Sequence, residues 1–492
     1  MTNRPFCAPR PVACESGTAY GTGDVVARAG SGPIIVVLAS CGLVASFMQT
    51  LVIPLIPAFP RLLDTTPTDA SWVVTVTLLA AAVCTPVAGR LGDLYGKRRV
   101  LLVSLAVLIA GSVVSALTSS LALMIVGRGL QGCAMGVIPL GISIMRDELP
   151  PDRVSGAISL MSATLGVGGA IGLPVAAIVA EHADWHVLFW GAAGLGLGCA
   201  LLILRFVPES PVRTPAPFDF LGTLGLIVGL TSLLLPIVKG SEWGWGSPAT
   251  LGFAATAVVV LAAWGWYQLR RRDPLVDLRV SARRPVLFTN LASVLVGFAM
   301  YAMSLSFPQL LQAPSATGYG LGLSMVEAGL CLAPNGLVMM ALSPVSARLT
   351  NRYGARVTLM TGATVIAVGY VFAIFLMANA VELIIASVII GAGVGIAYAA
   401  MPALIMSAVP VTETASANGL NSLMRSVGTS TSSAVMATML AHLTITVGSF
   451  TVPSLAGFRA TFAVAAVAAV AGLALTAVVP RFRAASPELA GV

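Results

Sequence analysis

Charge is what this sequence has least of. Asp, Glu, Lys and Arg make up 9% of its 492 residues, against about a quarter in a soluble globular protein, while 57% are hydrophobic. Water is therefore not the chain's main solvent, and the number of membrane spans, rather than of soluble domains, is the quantity to establish. Lysine is nearly absent: of 27 basic residues only Lys97 and Lys239 are lysines. No basic cluster carries interleaved aromatic residues for base stacking, so the net charge of +8 does not point to nucleic acid. Seven cysteines form no CxxC pair; Cys41, Cys84, Cys133, Cys199 and Cys331 fall in apolar runs and Cys7 and Cys14 in the N-terminal tail. Neither a disulfide framework nor a metal site is indicated. Among the three histidines, His182 and His186 flank Asp184, a spacing that suits a solvated loop better than a metal site. There is no GxxxxGK[ST] loop, since Gly96-Lys97 is followed by Arg98, and this argues against an ATP-driven permease. Histidines and acids are too sparse to gather a nucleophile, base or metal at one depth, which argues against an enzyme. Residues 1–31 lack the apolar core and cleavage site of a secretory signal.

What is present is a succession of apolar runs. A hydrocarbon core of about 30 Å needs roughly 20 apolar residues per helix. Fourteen such runs are predicted: 33–55, 70–89, 100–118, 121–145, 155–180, 186–206, 219–239, 249–268, 286–311, 324–346, 357–377, 381–408, 416–441 and 458–479. An even number puts both tails on one side. Basic residues decide which side: 22 fall in the tails and even-numbered loops, whereas the opposite loops hold only Arg61, Lys239 and Arg459. The positive-inside rule then expects both tails in the cytoplasm. Most of the excess positive charge becomes an orientation signal and an attraction to anionic membrane lipids.

The two ends of the chain echo each other. GRLGDLYGKRR (89–99) follows the second run and ARLTNRYGARV (347–357) the tenth; at an offset of 258, Arg90/Arg348, Leu91/Leu349, Tyr95/Tyr353, Gly96/Gly354 and Arg98/Arg356 are identical. Gly132 and Gly136 match Gly391 and Gly395 at 259, and Pro150 and Gly168 match Pro410 and Gly428 at 260. Helices 1–6 therefore correspond to 9–14, leaving helices 7 and 8 as an insert. Such repeats characterise transporters whose substrate site lies between two halves. The expected division is a tail at 1–31, a six-helix bundle at 32–206, the insert and its linker at 207–285, a second bundle at 286–480 and a tail at 481–492.

Four segments carry chemistry. In the 89–99 loop, Gly89 and Gly96 permit close helix approach and positive φ. Asp93, beside Lys97, Arg98 and Arg99, can cap a helix or pair with a neighbouring arginine, a latch made in one conformation and broken in another. Arg128, within helix 4, costs about 2.5–3.5 kcal/mol on insertion scales and needs a polar partner, a wet cavity or an interface to reach. Gly168 and Gly172 form a GxxxG in helix 5, and Pro174 removes a backbone bond there, features that ordinary helix packing also explains. Arg425 in helix 13 is the second intramembrane charge, open to a cavity role or a structural pairing. SEWGWGSP (241–248) suits an aromatic belt between helices 7 and 8.

These segments resemble the motifs of the major facilitator superfamily, in particular its fourteen-helix drug/proton antiporter branch. The 89–99 loop resembles the superfamily's signature loop, whose Asp is a conformational latch; in the second copy Asn351 replaces it. Arg128, Gln131 and Gly132 match an Arg-x-x-Gln-Gly motif whose Arg is implicated in proton coupling. GVGGAIGLP (166–174) resembles the antiporter motif, but Leu173 separates Gly172 from Pro174, and Ala176 and Ala177 stand in place of a Gly pair. FMQTLVIPLIP (47–57) resembles a first-helix motif in which an acid commonly precedes Thr. Here Gln49 precedes Thr50, and an amide carries no proton, so Asp93 and Glu327 become the acids to test. Glu327 lies in a run resembling the branch's Glu-Ala-Gly, and a solvated helix start accounts for it equally well. Arg425 resembles an Arg recurrent in the branch, and two such arginines without an obvious acid favour an anionic or amphiphilic substrate.

The resemblance implies an all-α membrane protein of fourteen transmembrane helices, two pseudo-symmetric six-helix bundles plus a two-helix insert. It implies secondary active export of small organic or amphiphilic compounds, drugs or antibiotics, in exchange for protons by alternating access. No cofactor is expected beyond the proton gradient. The expected partners are a small-molecule substrate, protons and lipid, with a functional monomer in the plasma membrane. Arg128, Gln131, Gln49, Thr50, Arg425 and Glu327 would form the substrate and proton pathway; Gly89, Asp93, Gly96, Arg98, Arg99, Arg348 and Arg356 the latch; and Gly168, Gly172 and Pro174 the antiporter-like motif. A proton-independent or differently coupled metabolite or lipid transporter of the same fold is the alternative.

Overall fold

A computed structural model describes residues 31–52, 55–56, 58–210, 212, 216–447 and 450–479; the two expected tails, with Cys7 and Cys14, lie outside the described residues. Fourteen long helices are found among those described: α1 (Ser31–Thr50), α2 (Trp72–Tyr95), α3 (Lys97–Ala116), α4 (Leu121–Glu148), α5 (Pro151–His182), α6 (His186–Phe206), α7 (Phe220–Trp243), α8 (Pro248–Arg270), α9 (Arg284–Gln312), α10 (Met325–Tyr353), α11 (Ala355–Phe375), α12 (Ala380–Ala408), α13 (Thr414–His442) and α14 (Leu455–Val478). Thirteen are long and apolar enough to cross a membrane. The remaining one is α13, which carries Asn418, Asn421, Ser422, Arg425, Ser426 and Thr429 along its length and lives among the other helices rather than in lipid. The chain is a multi-pass helical membrane protein.

Two boundaries differ from expectation in an instructive way. The 89–99 segment is not a loop: α2 stays helical to Tyr95 and α3 begins at Lys97, so the turn is Gly96 alone, at φ 109°. Asp93 and Lys97 are both buried, and helix is how a buried backbone satisfies its own polar groups. Gly354, at φ 87°, makes the same single-residue turn between α10 and α11. A two-stranded hairpin, β1 (Thr444–Val447) paired antiparallel with β2 (Phe450–Pro453), was not expected; it connects α13 to α14.

The core divides in the same way as the sequence. One cluster joins α1 to α6 around Leu38, Leu51, Phe59, Met161 and Phe189; another joins α9 to α14 around Phe307, Tyr370, Phe458 and Phe462. A third sits between them, where Leu226, Leu230 and Leu234 of α7 pack with Leu79 and Val83 of α2 and Leu423 of α13. Helix α8 is left largely outside, with 11% of its most apolar stretch buried, so it faces lipid. Lys239, expected in an outer loop, lies within α7 and is fully buried. Its ammonium donates to Ser71 Oγ and to Glu242 Oε2 (2.8 Å) and sits 5.0 Å from the Trp72 ring centroid. The insert is thus tied to the start of α2 by a desolvated cation, which finds a carboxylate one turn on and an aromatic face opposite.

Candidate functional site

Three of the sequence motifs converge on the last turns of α1. Thr50 donates to the carbonyls of Phe47 and Gly168 (3.1 and 3.3 Å), and Ser46 donates to the carbonyl of Leu165 (2.7 Å). A Cβ on Gly168 would lie 2.5 Å from Ser46 Cβ, and one on Gly172 would lie 2.2 Å from Thr50 Oγ1. The glycine pair in α5 is therefore the groove that receives α1. Pro174 lies two residues beyond Gly172, inside the same unbroken helix. Gln49 is half-buried beside this contact.

Arg128 reaches the same place from α4. It is 1% exposed, and its guanidinium donates to the carbonyls of Met48 (3.2 Å) and Val73 (3.4 Å) and to Gln131 Oε1 (2.6 Å). Gln131 passes the chain on to Ser112 Oγ (2.8 Å). The last four carbonyls of a helix have no partner within it, and a cation at that end also meets the negative pole of the helix dipole. Arg128 thus closes the end of α1 with a polar partner, one of the options its sequence position allowed.

At the opposite ends of these helices, where the basic residues gather, Asp93 joins the two bundles. Its Oδ1 accepts the N–H of Ala415 (3.1 Å) and its Oδ2 the N–H of Ser416 (2.8 Å), both in the first turn of α13. Asp93 therefore caps a helix of the other bundle instead of pairing with an arginine. Gly89 makes this approach possible, because a Cβ there would lie 2.4 Å from the Ala415 carbonyl. The repeat supplies a counterpart: Ala347, the equivalent of Gly89, accepts from Ser155 Oγ (3.4 Å) near the start of α5. Arg146 Nη1 donates to Thr414 Oγ1 (2.8 Å), and Ser162 Oγ donates to the Tyr398 carbonyl (3.3 Å) nearer the middle.

The other residues expected in the latch make their contacts within their own bundles. Arg98 donates to the carbonyl of Leu204 at the end of α6 (2.8 Å), and Arg356 donates to that of Ala477 at the end of α14, the same contact in each half. Arg99 is exposed and lies 3.7 Å from Glu209, whereas Arg348 is exposed. Lys97, fully buried, binds Asp147 Oδ2 at 2.5 Å and lies 4.0 Å from Asp93, and Ser210 donates to the same Asp147 oxygen (2.6 Å). Asp147 and Ser210 escaped the sequence reading; the only signal was an acid closing the arginine-bearing helix.

Arg425 stands apart from these. Nη1 donates to Asn421 Oδ1 (3.1 Å), Nη2 to Ser422 Oγ (2.7 Å), and the guanidinium carbon lies 5.0 Å from the Tyr398 ring centroid. Asn421 is itself held by α9, donating to Asn290 Oδ1 (3.0 Å) and Ser293 Oγ (2.7 Å). Glu327, grouped with the pathway by resemblance, is exposed and forms a capping box with Ser324 at the start of α10. His182, Asp184 and His186 do not come together as a group that could hold a metal ion, and no such group occurs among the described residues. Asp184 accepts the backbone N–H of His186 (2.8 Å) at the start of α6, and backbone and side-chain bonds from His186 hold its carboxyl below the usual range.

Two helical bundles of matching construction, joined through buried polar contacts at one end and each holding an arginine in its interior, define a membrane transporter rather than an enzyme. The chain belongs to the Major Facilitator Superfamily, whose family model matches residues 38–433 and 291–490. It is 27% identical over 404 residues to the multidrug resistance protein Stp of Mycobacterium tuberculosis, covering 81% of this chain and 74% of that protein. To the tetracenomycin C resistance and export protein of Streptomyces glaucescens it is 28% identical over 332 residues, 67% of this chain and 61% of the relative. Among solved structures it resembles the proton:xylose symporter XylE, with a TM-score of 0.64 at 14% identity over 92% of this chain and 96% of that one, a likeness of fold.

Proposed function

We propose that the chain exports small organic and amphiphilic compounds, drugs or antibiotics among them, in exchange for protons. It does so by alternating access, as a monomer in the plasma membrane, with the basic face and both tails in the cytosol. The observation that carries the mechanism is Asp93 capping α13 across the bundle interface. A carboxylate accepting two N–H groups holds the bundles together at the basic face, and a proton arriving on it removes the charge that both donors bind. The bundles, taken as 32–206 and 286–480 with 207–285 between them, then rock apart there and close at the other end. Arg128 and Gln131 act through the α1 end they hold, beside Gln49 and Thr50, and Arg425 faces the substrate. The resistance and export names of the relatives support the substrate class.

The test compares drug susceptibility and efflux in cells with and without the gene, before and after the proton gradient is collapsed. Resistance and gradient-dependent efflux are expected. Efflux unchanged by collapse of the gradient sinks proton exchange, and an unchanged susceptibility profile across the panel sinks export.

A further inference from the structure

The two intramembrane arginines differ in what surrounds them, and the difference assigns a substrate class. Arg128 is closed off from solvent, with main-chain carbonyls at the end of α1 and the start of α2 around it. Arg425 is half-buried, and its described partners are neutral: an amide, a hydroxyl and an aromatic face. It lies eleven residues into α13, about 16 Å along the axis at 1.5 Å per residue, hence near mid-span. Among the described residues no Asp or Glu lies within 4.0 Å of it.

Among the described residues no carboxylate of the spans sits at that depth. Asp93 and Glu242 lie in the last turns of α2 and α7, Asp147 and Glu148 end α4, and Glu327 and Glu382 lie in the first turns of α10 and α12. Asp152 lies in the first turn of α5 and Glu181 is its penultimate residue. Among the described residues the middle of the spans therefore carries a cation and no anion. A charge in a low-dielectric interior without its opposite is costly, and the site is prepared for one. Asn421, fixed by Asn290 and Ser293 of the neighbouring helix, aims the guanidinium, and Tyr398 supports its flat face while its own carbonyl takes Ser162 of the other bundle. Ser422, Ser426 and Thr429 extend a partly open polar stripe along the same side of α13, at i, i+4 and i+7.

The geometry points to Arg425 as the group that binds the acidic moiety of the exported compound, so that the substrates are organic anions, carboxylates or phenolates on an apolar body. A guanidinium presents paired N–H donors that match a carboxylate, and the anion supplies the missing counter-charge. This rests on the export reading above.

Fluorescein and rhodamine 123 share a fused-ring body and differ in the sign of their charge, and efflux of each from proteoliposomes holding the full-length protein tests the inference. The unsubstituted protein is expected to move fluorescein in preference to rhodamine. Arg425→Gln is expected to lower the ratio of fluorescein to rhodamine efflux about tenfold or more, the loss of a hydrogen-bonded charge. Arg425→Lys keeps the charge and is expected to keep the preference for fluorescein. Preference for rhodamine in the unsubstituted protein overturns the anion assignment and leaves the export reading standing. Transport of neither dye overturns both. Equal loss of the two dyes in both variants removes Arg425 from the role of charge reader.

Discussion

Replacing Asp93 with Asn changes one oxygen and one charge at the contact between the bundles. Asp93 is 1% exposed and accepts the N–H groups of Ala415 and Ser416 at 3.1 and 2.8 Å. The asparagine keeps one acceptor, and its NH2 group is left facing the other backbone donor. Loss of a hydrogen bond to a charged group is worth about 1.5–3 kcal/mol, and loss of an anion from the first turn of α13 adds about 0.3–1 kcal/mol. Lys97 keeps Asp147 at 2.5 Å, so its charge stays compensated. A shift of about 2–3 kcal/mol changes the equilibrium between closed and open forms by about 30- to 150-fold. Spin labels at Tyr95 and Val411, which are 52% and 46% exposed on opposite sides of the contact, report the change as a pulsed-EPR distance distribution in a background without native cysteines. D93N is expected to add a longer-distance population. A distribution identical to that of Asp93, from protein of equal yield, would refute the claim that this contact holds the basic face shut.

Gly172→Val places a side chain where a Cβ already falls 2.2 Å from Thr50 Oγ1, and overpacking of this kind costs about 1–3 kcal/mol. Its unfolding temperature in detergent is expected to drop, while Gly191→Val, with nothing within 4 Å, is expected to leave it unchanged. Arg128→Ala takes the guanidinium away from the Met48 carbonyl, whereas the Val73 carbonyl keeps Thr77 Oγ1 (3.1 Å); driven export is expected to disappear with membrane insertion intact, and retained efflux removes Arg128 from the pathway. Glu413, on the basic face between α12 and α13, is held above the usual glutamate range by burial and by Asp277, against Arg90 and Arg283. A raised acid contributes stability that is complete below its unfolded value of about 4.5 and fades as pH rises through the folded one. Glu413→Gln is therefore expected to flatten that decline, read as unfolding temperature against pH; a slope equal to that of the unsubstituted protein overturns the assignment.

The architecture was largely legible because it rests on periodic signals. Runs of apolar residues, and Arg98 and Arg356 at one offset, foretell helices and a repeat, and the two arginines do make the same contact in each half. The position of Lys239 was not legible, because a lysine near the end of an apolar run looks like a loop residue until Ser71, Glu242 and Trp72 are seen around it. The hairpin had a signal, β-branched residues alternating on either side of Gly448-Ser449, which the search for long apolar runs passed over. Partners were the least accessible level. Arg128 binds carbonyls some 55 and 80 residues away in sequence, and a carbonyl leaves no trace in the sequence because every residue has one.

The polarity of α13 bears on how the chain is built. A segment with Asn418, Asn421 and Arg425 gains little by leaving the insertion machinery for lipid alone, yet its partners on α9, Asn290 and Ser293, are synthesised more than a hundred residues earlier. Those earlier helices must wait at the machinery, or return to it, until α13 emerges. Biogenesis of the second half is therefore a collective event, and a ribosome stalled just short of α13 would leave an unfinished, degradable bundle.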